Sequence, residues 1–583
     1  MLHCVTNYWK VVVPTKSVAE LDADQWLFVA TFDGTTYFWF PRLQFSRWWL
    51  LAVCSLANLC TGSLLAFTSL YDGLDVYFYG SQTKESVSIQ LQTYVWLGLS
   101  AAVSGPLVEK RGARFGMTAG TVVIAVGFVM SQLAVGAFSP TFLTVGYAVF
   151  CGAGFGLVLI ATMAATQKWF PDLRGLVSGV LMFAFGVGNA MWTAIYTKLL
   201  HRRGLFDPVT DVTNVPTIFW SNGLAIVLAL VLASLVIRTP PSTFTVNGHD
   251  IHCVPETKAP DPKHIEDEYL KLGMTLVNYS VVQRELEGTD MHYFAQVKAL
   301  SLLQCIFSSD FLCLYVAFAA TIIPAQVLST ELVDICTGVF HESIDATNAL
   351  MTTGVLVNAA GRLVVPLISD AFIRIFYANP ALARKAVLML VLTYQVVYLV
   401  MAPKATMAFT AFRVFSLSFV FASGGSMAII QCFATDMFGV YHAGTMYGLL
   451  LTCWSLRAIL VGYAFSTFQV TAASFQLQLE WMVGMALVGW VALVFVRTNS
   501  MDRFFVGYQY SICGRIVFQY AFHPNTNALD DHDVVTIPAP GAAHSLSDND
   551  FMLWPAETTQ SPRPSFTRHS SMTPQPHTHL HWP

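Results

Sequence analysis

The chain has 583 residues, 55% hydrophobic and only 11% charged, with a mean hydropathy of +0.56 and a formal net charge of -4. So few charges over this length exclude a soluble globular protein, and the small net charge implies no nucleic-acid partner. The apolar residues fall in runs of spanning length, which predicts an all-α polytopic membrane protein lodged in a lipid bilayer. Eleven cysteines run from Cys4 to Cys513 without a CxxC pair, and the histidines show no ligand spacing, so no disulfide framework, metal site or cofactor is expected.

Residues 1–46 read as an N-terminal segment on the inner side. Within it, 26–40 (WLFVATFDGTTYFWF) is aromatic but short and broken by Asp33, so it is expected to lie on the membrane surface. The start lacks the pattern of a signal peptide, and targeting is assigned to the first spanning helix. Span 1 is expected between Arg47 and Asp72 and span 2 over 88–108. From Phe115 to Gln167 there is no charge, and Ser139-Pro140 divides that run into spans 3 and 4. Span 5 lies between Arg174 and Lys198, and span 6 ends at Arg238. Residues 239–304 form a polar inner loop, with helical character over 263–298. Spans 7 to 12 follow: Asp310 to Glu331, 346–370, 386–403, 405–432, 441–466 and 475–496. Six spans, a long loop and six more predict two six-helix bundles, 47–238 and 305–497, facing each other across a midplane site.

Span 8 carries Arg362, about 12 Å along the helix from Asp370, the next charge. A guanidinium at that depth costs about 2.5–3.5 kcal/mol to insert and cannot shed its proton. Asn358 lies one turn earlier on the same face. Two readings stand: Arg362 holds an anionic substrate, or it is neutralised within the protein or snorkels to the inner surface. Arg457 in span 11 divides between a substrate or gating contact and snorkelling to the outer interface. Arg413 in span 10 reads as structural, and Asp436 and Glu331 as residues at span ends. The deep charges are arginines, which points to an anion path. Glycines at 152, 154 and 156, and at 179, 186 and 188, have the spacing of close helix contacts. His442 in the span 10–11 loop reads as a plain loop histidine rather than a pH sensor.

The segment Gly105-Pro-Leu-Val-Glu109-Lys110-Arg111-Gly112-Ala-Arg114 resembles the signature loop of the major facilitator superfamily, with Glu109 in place of the usual Asp. In this resemblance Gly105 admits a neighbouring helix, Glu109 latches one conformation at a helix N-terminus or on a base, Gly112 turns tightly, and Arg111 and Arg114 pin the loop. Gly361-Arg362 with Asp370 resembles the corresponding half-motif. The stretches NLCTGSLLAF (58–67), KWFPDLRG (168–175), NAAGR (358–362) and FATDMFGVYHAGT (433–445) resemble the oxalate/formate antiporter family within the monocarboxylate transporter group. This implies twelve helices in two bundles and no enzymatic activity. It also implies transport of a small organic anion by alternating access, with Arg362 binding a carboxylate and Arg457, Trp454, Asn358 and Phe67 shaping the pocket. The family's span 11 lysine aligns with Trp454. Asn358 stands where proton-coupled relatives have an Asp, which favours exchange or facilitated movement over proton symport. A transporter-like sensor is the alternative of another class.

Close to the span ends and outside the long loop, twelve lysines and arginines from Arg42 to Arg503 fall on the inner side, against five in the outer loops, which predicts both termini inside. The sequon Asn278-Tyr-Ser280 then goes unused. Residues 498–583 form an inner tail, rich in Pro, Ser and His from 523 and expected to be largely disordered, with 504–520 as an interfacial helix or apolar linker. RPSFTRHSS (563–571) is a candidate phosphorylation segment, implying a kinase or regulatory partner at the C-terminal tail. Either the plasma membrane or an organelle membrane fits.

Overall fold

The computed structural model describes residues 8–9, 16–31, 36–81, 84–200, 215–241, 244–247, 250–253, 288–401, 408–460, 472–505, 507–512 and 515–521, all within one compact unit, Met1–Ala521. Among them are twelve long helices: α1 (Arg47–Tyr79), α2 (Ser86–Arg111), α3 (Ala113–Gly136), α4 (Pro140–Trp169), α5 (Arg174–Leu200), α6 (Val215–Val236), α7 (Ser309–Thr330), α8 (Ile344–Phe376), α9 (Pro380–Met401), α10 (Phe409–Phe438), α11 (Ala443–Leu460) and α12 (Ala472–Val494). All but α2 are apolar and long enough to cross a membrane by composition alone. α2 is more polar and packs between α4 and α11. The protein is a multi-pass membrane protein.

Local chemistry sets the boundaries. The charge-free run breaks where Ser139 caps α4 by accepting the Phe142 N–H, with Pro140 at the first helical position. Ser308 and Ser343 cap α7 and α8 in the same way. α1 runs seven residues past Asp72, because Asp75 is buried and accepts the Ser86 N–H at 2.9 Å, which carries the chain into α2. Between α2 and α3, Gly112 sits at φ 88°, a conformation that favours glycine. The end of the bundle bearing this turn is the motif end.

Small residues let the helices touch. A Cβ on Gly188 of α5 would stand 2.1 Å from the Leu59 carbonyl of α1, and one on Gly361 of α8 would stand 2.1 Å from the Phe421 carbonyl of α10.

One expectation is corrected. Residues 504–520 are not an interfacial helix. Strands β3 (Gly507–Ile512) and β4 (Arg515–Ala521) form an antiparallel hairpin fastened by buried Asp502, which accepts the Ser511 N–H at 2.9 Å and the Gln509 side chain at 3.0 Å. Alternating side chains in YQYSI and RIVFQY carry the strand period, which composition alone obscures. The 26–40 segment likewise holds a short hairpin, β1 (Val29–Thr31) with β2 (Tyr37–Trp39). Buried Arg238 donates to the carbonyls of Asp24, Trp26 and Leu27 at 2.8, 2.7 and 2.6 Å, tying this segment to the end of α6. In the long loop, Gly288–Lys298 is helical, while 263–287, the sequon and the tail from Phe522 lie outside the described residues.

Candidate functional site: an arginine-aromatic cluster above an ion-paired closure

Arg362 is 2% exposed. Asn358, one turn earlier on α8, accepts its Nε–H at 2.9 Å and donates to the Val420 carbonyl of α10 at 2.9 Å, which fixes the amide. Across the interface, the guanidinium donates to the Met182 carbonyl of α5 at 3.4 Å and lies 5.1 Å from the Phe185 ring centroid. Arg457 on α11 is 3% exposed and lies 5.1 Å from the Tyr94 ring of α2. Trp454, one turn before it, meets Tyr94 at 5.6 Å and Phe185 at 6.2 Å between centroids. Among the described residues, its indole N–H and the Arg457 Nε have no hydrogen-bond partner. The chain Arg362–Phe185–Trp454–Tyr94–Arg457 therefore joins both halves of the bundle. Met182 stands eight residues into α5, about 12 Å from the motif end, and Arg457 fourteen into α11, about 21 Å.

Among the described residues, neither arginine pairs with a carboxylate. Each cation–π contact is worth about 0.5–2 kcal/mol, while a buried ion carries a desolvation cost of several kcal/mol. Rings and carbonyls offset part of that cost, and an arriving anion would offset more. Phe67 stands apart from this cluster. Its ring stacks on Tyr147 at 4.3 Å and meets Tyr71 edge-on inside the first six helices. It is linked to Tyr94 through Tyr71, whose hydroxyl donates to Gln90, the residue that donates to the Tyr94 hydroxyl. Arg413 is exposed on α10, away from the cluster.

Glu109 is buried, ion-pairs with Lys168 of α4 and accepts the Gly444 N–H at 2.9 Å. Gly444 lies in the first turn of α11, where free N–H groups and the helix dipole favour an anion. Gly105 allows the approach: a Cβ there would stand 2.6 Å from the Thr445 Cα. Arg114 reaches Asp24 at 3.2 Å and the Ile237 carbonyl at 3.2 Å, whereas Arg111 is exposed and lies 4.8 Å from the Phe115 ring.

A second group of charges closes the same end. Asp370 of α8 pairs with Arg384 of α9 at 2.5 Å and accepts the Leu176 N–H of α5 at 2.7 Å. Asp436, expected to be a plain end residue, is 1% exposed and takes both Arg174 at 2.6 Å and Arg384 at 3.3 Å. It closes the motif end because it faces inward from the last turn of α10. Arg174 also donates to the Ile251 carbonyl at 2.9 Å, so the loop joining the halves takes part. His442 is more than a loop histidine: it is buried, bonds the Leu300 carbonyl at 2.9 Å, and desolvation lowers its pKa. Toward the opposite end, α8 is exposed from Asn348 to Thr353 except at Leu350.

Phe185 and Tyr94 were not singled out from sequence, since nothing in an apolar run marks one aromatic as a partner. Lys168 and Arg174 had a signal, as both stand in the KWFPDLRG junction. Glu331 at the end of α7 keeps one carboxylate oxygen without a partner among the described residues, and burial raises its pKa.

The model of the Major Facilitator Superfamily matches residues 82–462. The chain is 26% identical over 202 residues to the oxalate:formate antiporter of Oxalobacter formigenes, covering 33% of this chain and 43% of that one. It is 31% identical over 160 residues to monocarboxylate transporter 9 of Rattus norvegicus, covering 27% and 30%. The chain thus aligns with less than half the length of either relative. Its fold is similar to that of the proton:xylose symporter XylE, with a TM-score of 0.55 at 13% identity over 76% of this chain and 94% of that one.

Proposed function

Because the chain belongs to the Major Facilitator Superfamily, a family of transporters rather than enzymes, we propose that it carries a small organic anion, a mono- or dicarboxylate, by alternating access. The observation that carries this reading is the pair of buried arginines, Arg362 and Arg457, lined by Phe185, Trp454 and Tyr94 and without a carboxylate partner among the described residues. The names of the antiporter and of monocarboxylate transporter 9 support the substrate class.

In this reading a carboxylate enters from the end opposite the motif and meets Arg362, held by Asn358. Arg457 and the Trp454 N–H complete the pocket. Binding neutralises the buried cation and lowers the barrier to the state in which the Glu109 and Asp436 groups part. The charge asymmetry of the loops assigns the motif end and both termini to the inside. Gly105, Gly112 and Gly361 act as close-approach and turn positions, Glu109 and Asp370 as latches, and Arg111 and Arg114 as anchors of the motif loop.

An empty carrier would cross with its arginine uncompensated, so exchange is favoured over net flux. Asn358 cannot titrate, which argues against proton symport at this position. The test is uptake of radiolabelled carboxylates into proteoliposomes preloaded with the same anion. Trans-stimulation supports exchange. Uptake driven by a pH jump without trans-stimulation selects the symporter, and binding without flux selects a sensor.

A further inference from the structure

On the outer face of the bundle, α8, α9 and α10 enclose an elongated apolar groove of about 640 Å³. Its walls include Val357 and Phe372 of α8, Leu390 and Tyr394 of α9, and Leu417 and Phe421 of α10. Leu390 is 67% exposed, so the groove opens outward to the bilayer rather than toward the arginine cluster. Ser418 also lines it, but its hydroxyl is used internally, donating to the Val414 carbonyl at 2.7 Å. From Val414 to Ala422 the groove follows α10 for about 12 Å, starting one residue past Arg413, and along α8 it continues to Phe372 near the motif end. One leaflet contributes only about 15 Å to a core about 30 Å thick, so an acyl chain of the leaflet opposite the motif end fits along the part that begins at Arg413.

Arg413 stands at one end of this groove. Arg413, Leu417 and Phe421 are spaced by four on α10 and share one stripe of the helix. Arg413 is four residues from Phe409, where the helix begins, about 6 Å, which puts its guanidinium within snorkelling reach of the headgroups. It is exposed and forms no ion pair among the described residues.

We propose that this is a binding site for an anionic phospholipid of the leaflet opposite the motif end, its phosphate on Arg413 and one acyl chain in the groove. A bare guanidinium selects an anionic headgroup over a zwitterionic one, which brings its own cation to compete. An exposed arginine in line with an apolar slot as long as a lipid tail matches both parts of such a ligand. Val357 adjoins Asn358 in sequence and Val365 stands one turn past Arg362, so the lipid would lie against the helix that carries Arg362.

Native mass spectrometry of the full chain, offered phosphatidylglycerol and phosphatidylcholine in equal amounts, tests this. The wild type should retain phosphatidylglycerol severalfold over phosphatidylcholine. Arg413→Gln should bring the ratio close to one while keeping bound lipid. Leu417→Trp, which fills the groove, should reduce both adducts. Thermal melting within a few degrees of wild type certifies the fold of each variant. No headgroup preference in the wild type, a preference unchanged in Arg413→Gln, or adducts unchanged in Leu417→Trp would overturn the proposal.

Discussion

Glu109 and Gly444 are 335 residues apart in sequence, yet the Glu109 carboxylate accepts the Gly444 N–H at 2.9 Å while it pairs with Lys168. One side chain thus joins α2, α4 and the start of α11. Glu109→Gln keeps an acceptor for Gly444 but leaves Lys168 as a buried cation without its carboxylate. Exchanging the charged acceptor of the Gly444 N–H for a neutral one costs about 1.4 kcal/mol, roughly tenfold in the opening equilibrium. Cys432, fully buried beside Arg384 and Asp436, reports on it. Maleimide labelling of Cys432, read by peptide mass, is expected to be at least tenfold faster in the variant.

Asp436 and Asp370 share Arg384, but only Asp436 holds Arg174. Asp436→Asn therefore leaves a buried guanidinium without a carboxylate, at a cost of about 3–5 kcal/mol. Asp370→Asn leaves Arg384 with Asp436, and the Asp370 side chain is already 13% exposed. Thermal unfolding in detergent is expected to show the larger loss for Asp436→Asn, with the smaller loss for Asp370→Asn.

The loop joining the halves carries a pH response. His252 is buried against Tyr441 and faced by Asp250, Arg174, Lys298 and His442. Burial pushes its pKa from 6.5 down to about 3, with the cations Arg174 and Lys298 opposing protonation and Asp250 favouring it. The docked loop thus disfavours the proton that a released, solvated His252 would bind below about pH 6.5. The docking is fully stable above that value and weakens as pH falls from 6.5 toward 3. Amide hydrogen exchange at Ile251–Cys253, corrected for intrinsic rates, is expected to be faster at pH 5 than at pH 7.5, and His252→Gln is expected to remove the difference.

The C-terminal hairpin depends on Asp502. Asp502→Ala removes the acceptor for the Ser511 N–H and hydroxyl and for Gln509, at about 1 kcal/mol each. Limited proteolysis is expected to cut between Gly507 and Ala521 faster in this variant.

The helices were legible because insertion in lipid demands long charge-poor runs, and Ser139-Pro140 supplied the break that length alone required. The Gly105–Arg114 signature marked Glu109, since its glycines and basic residues have a turn-and-anchor pattern. Partnership was not legible. Asp436 reads as an end residue until the fold brings Arg174 to it from 262 residues away. Phe67 stood in a stretch resembling family members, but its ring turned toward Tyr147. The hairpins were not legible because the alternation in three- to seven-residue strands is too short to outweigh an aromatic composition that reads as an interfacial segment.

The central claim is that Arg362 holds a carboxylate, and a thermal-shift screen of the purified protein against mono- and dicarboxylates tests it most directly. At a hundredfold excess over its dissociation constant a bound anion stabilises by about 2.7 kcal/mol, a shift of several degrees. The account predicts such a shift with at least one carboxylate in the wild type and its loss for every ligand in Arg362→Gln. Equal shifts in the wild type and in Arg362→Gln would contradict it.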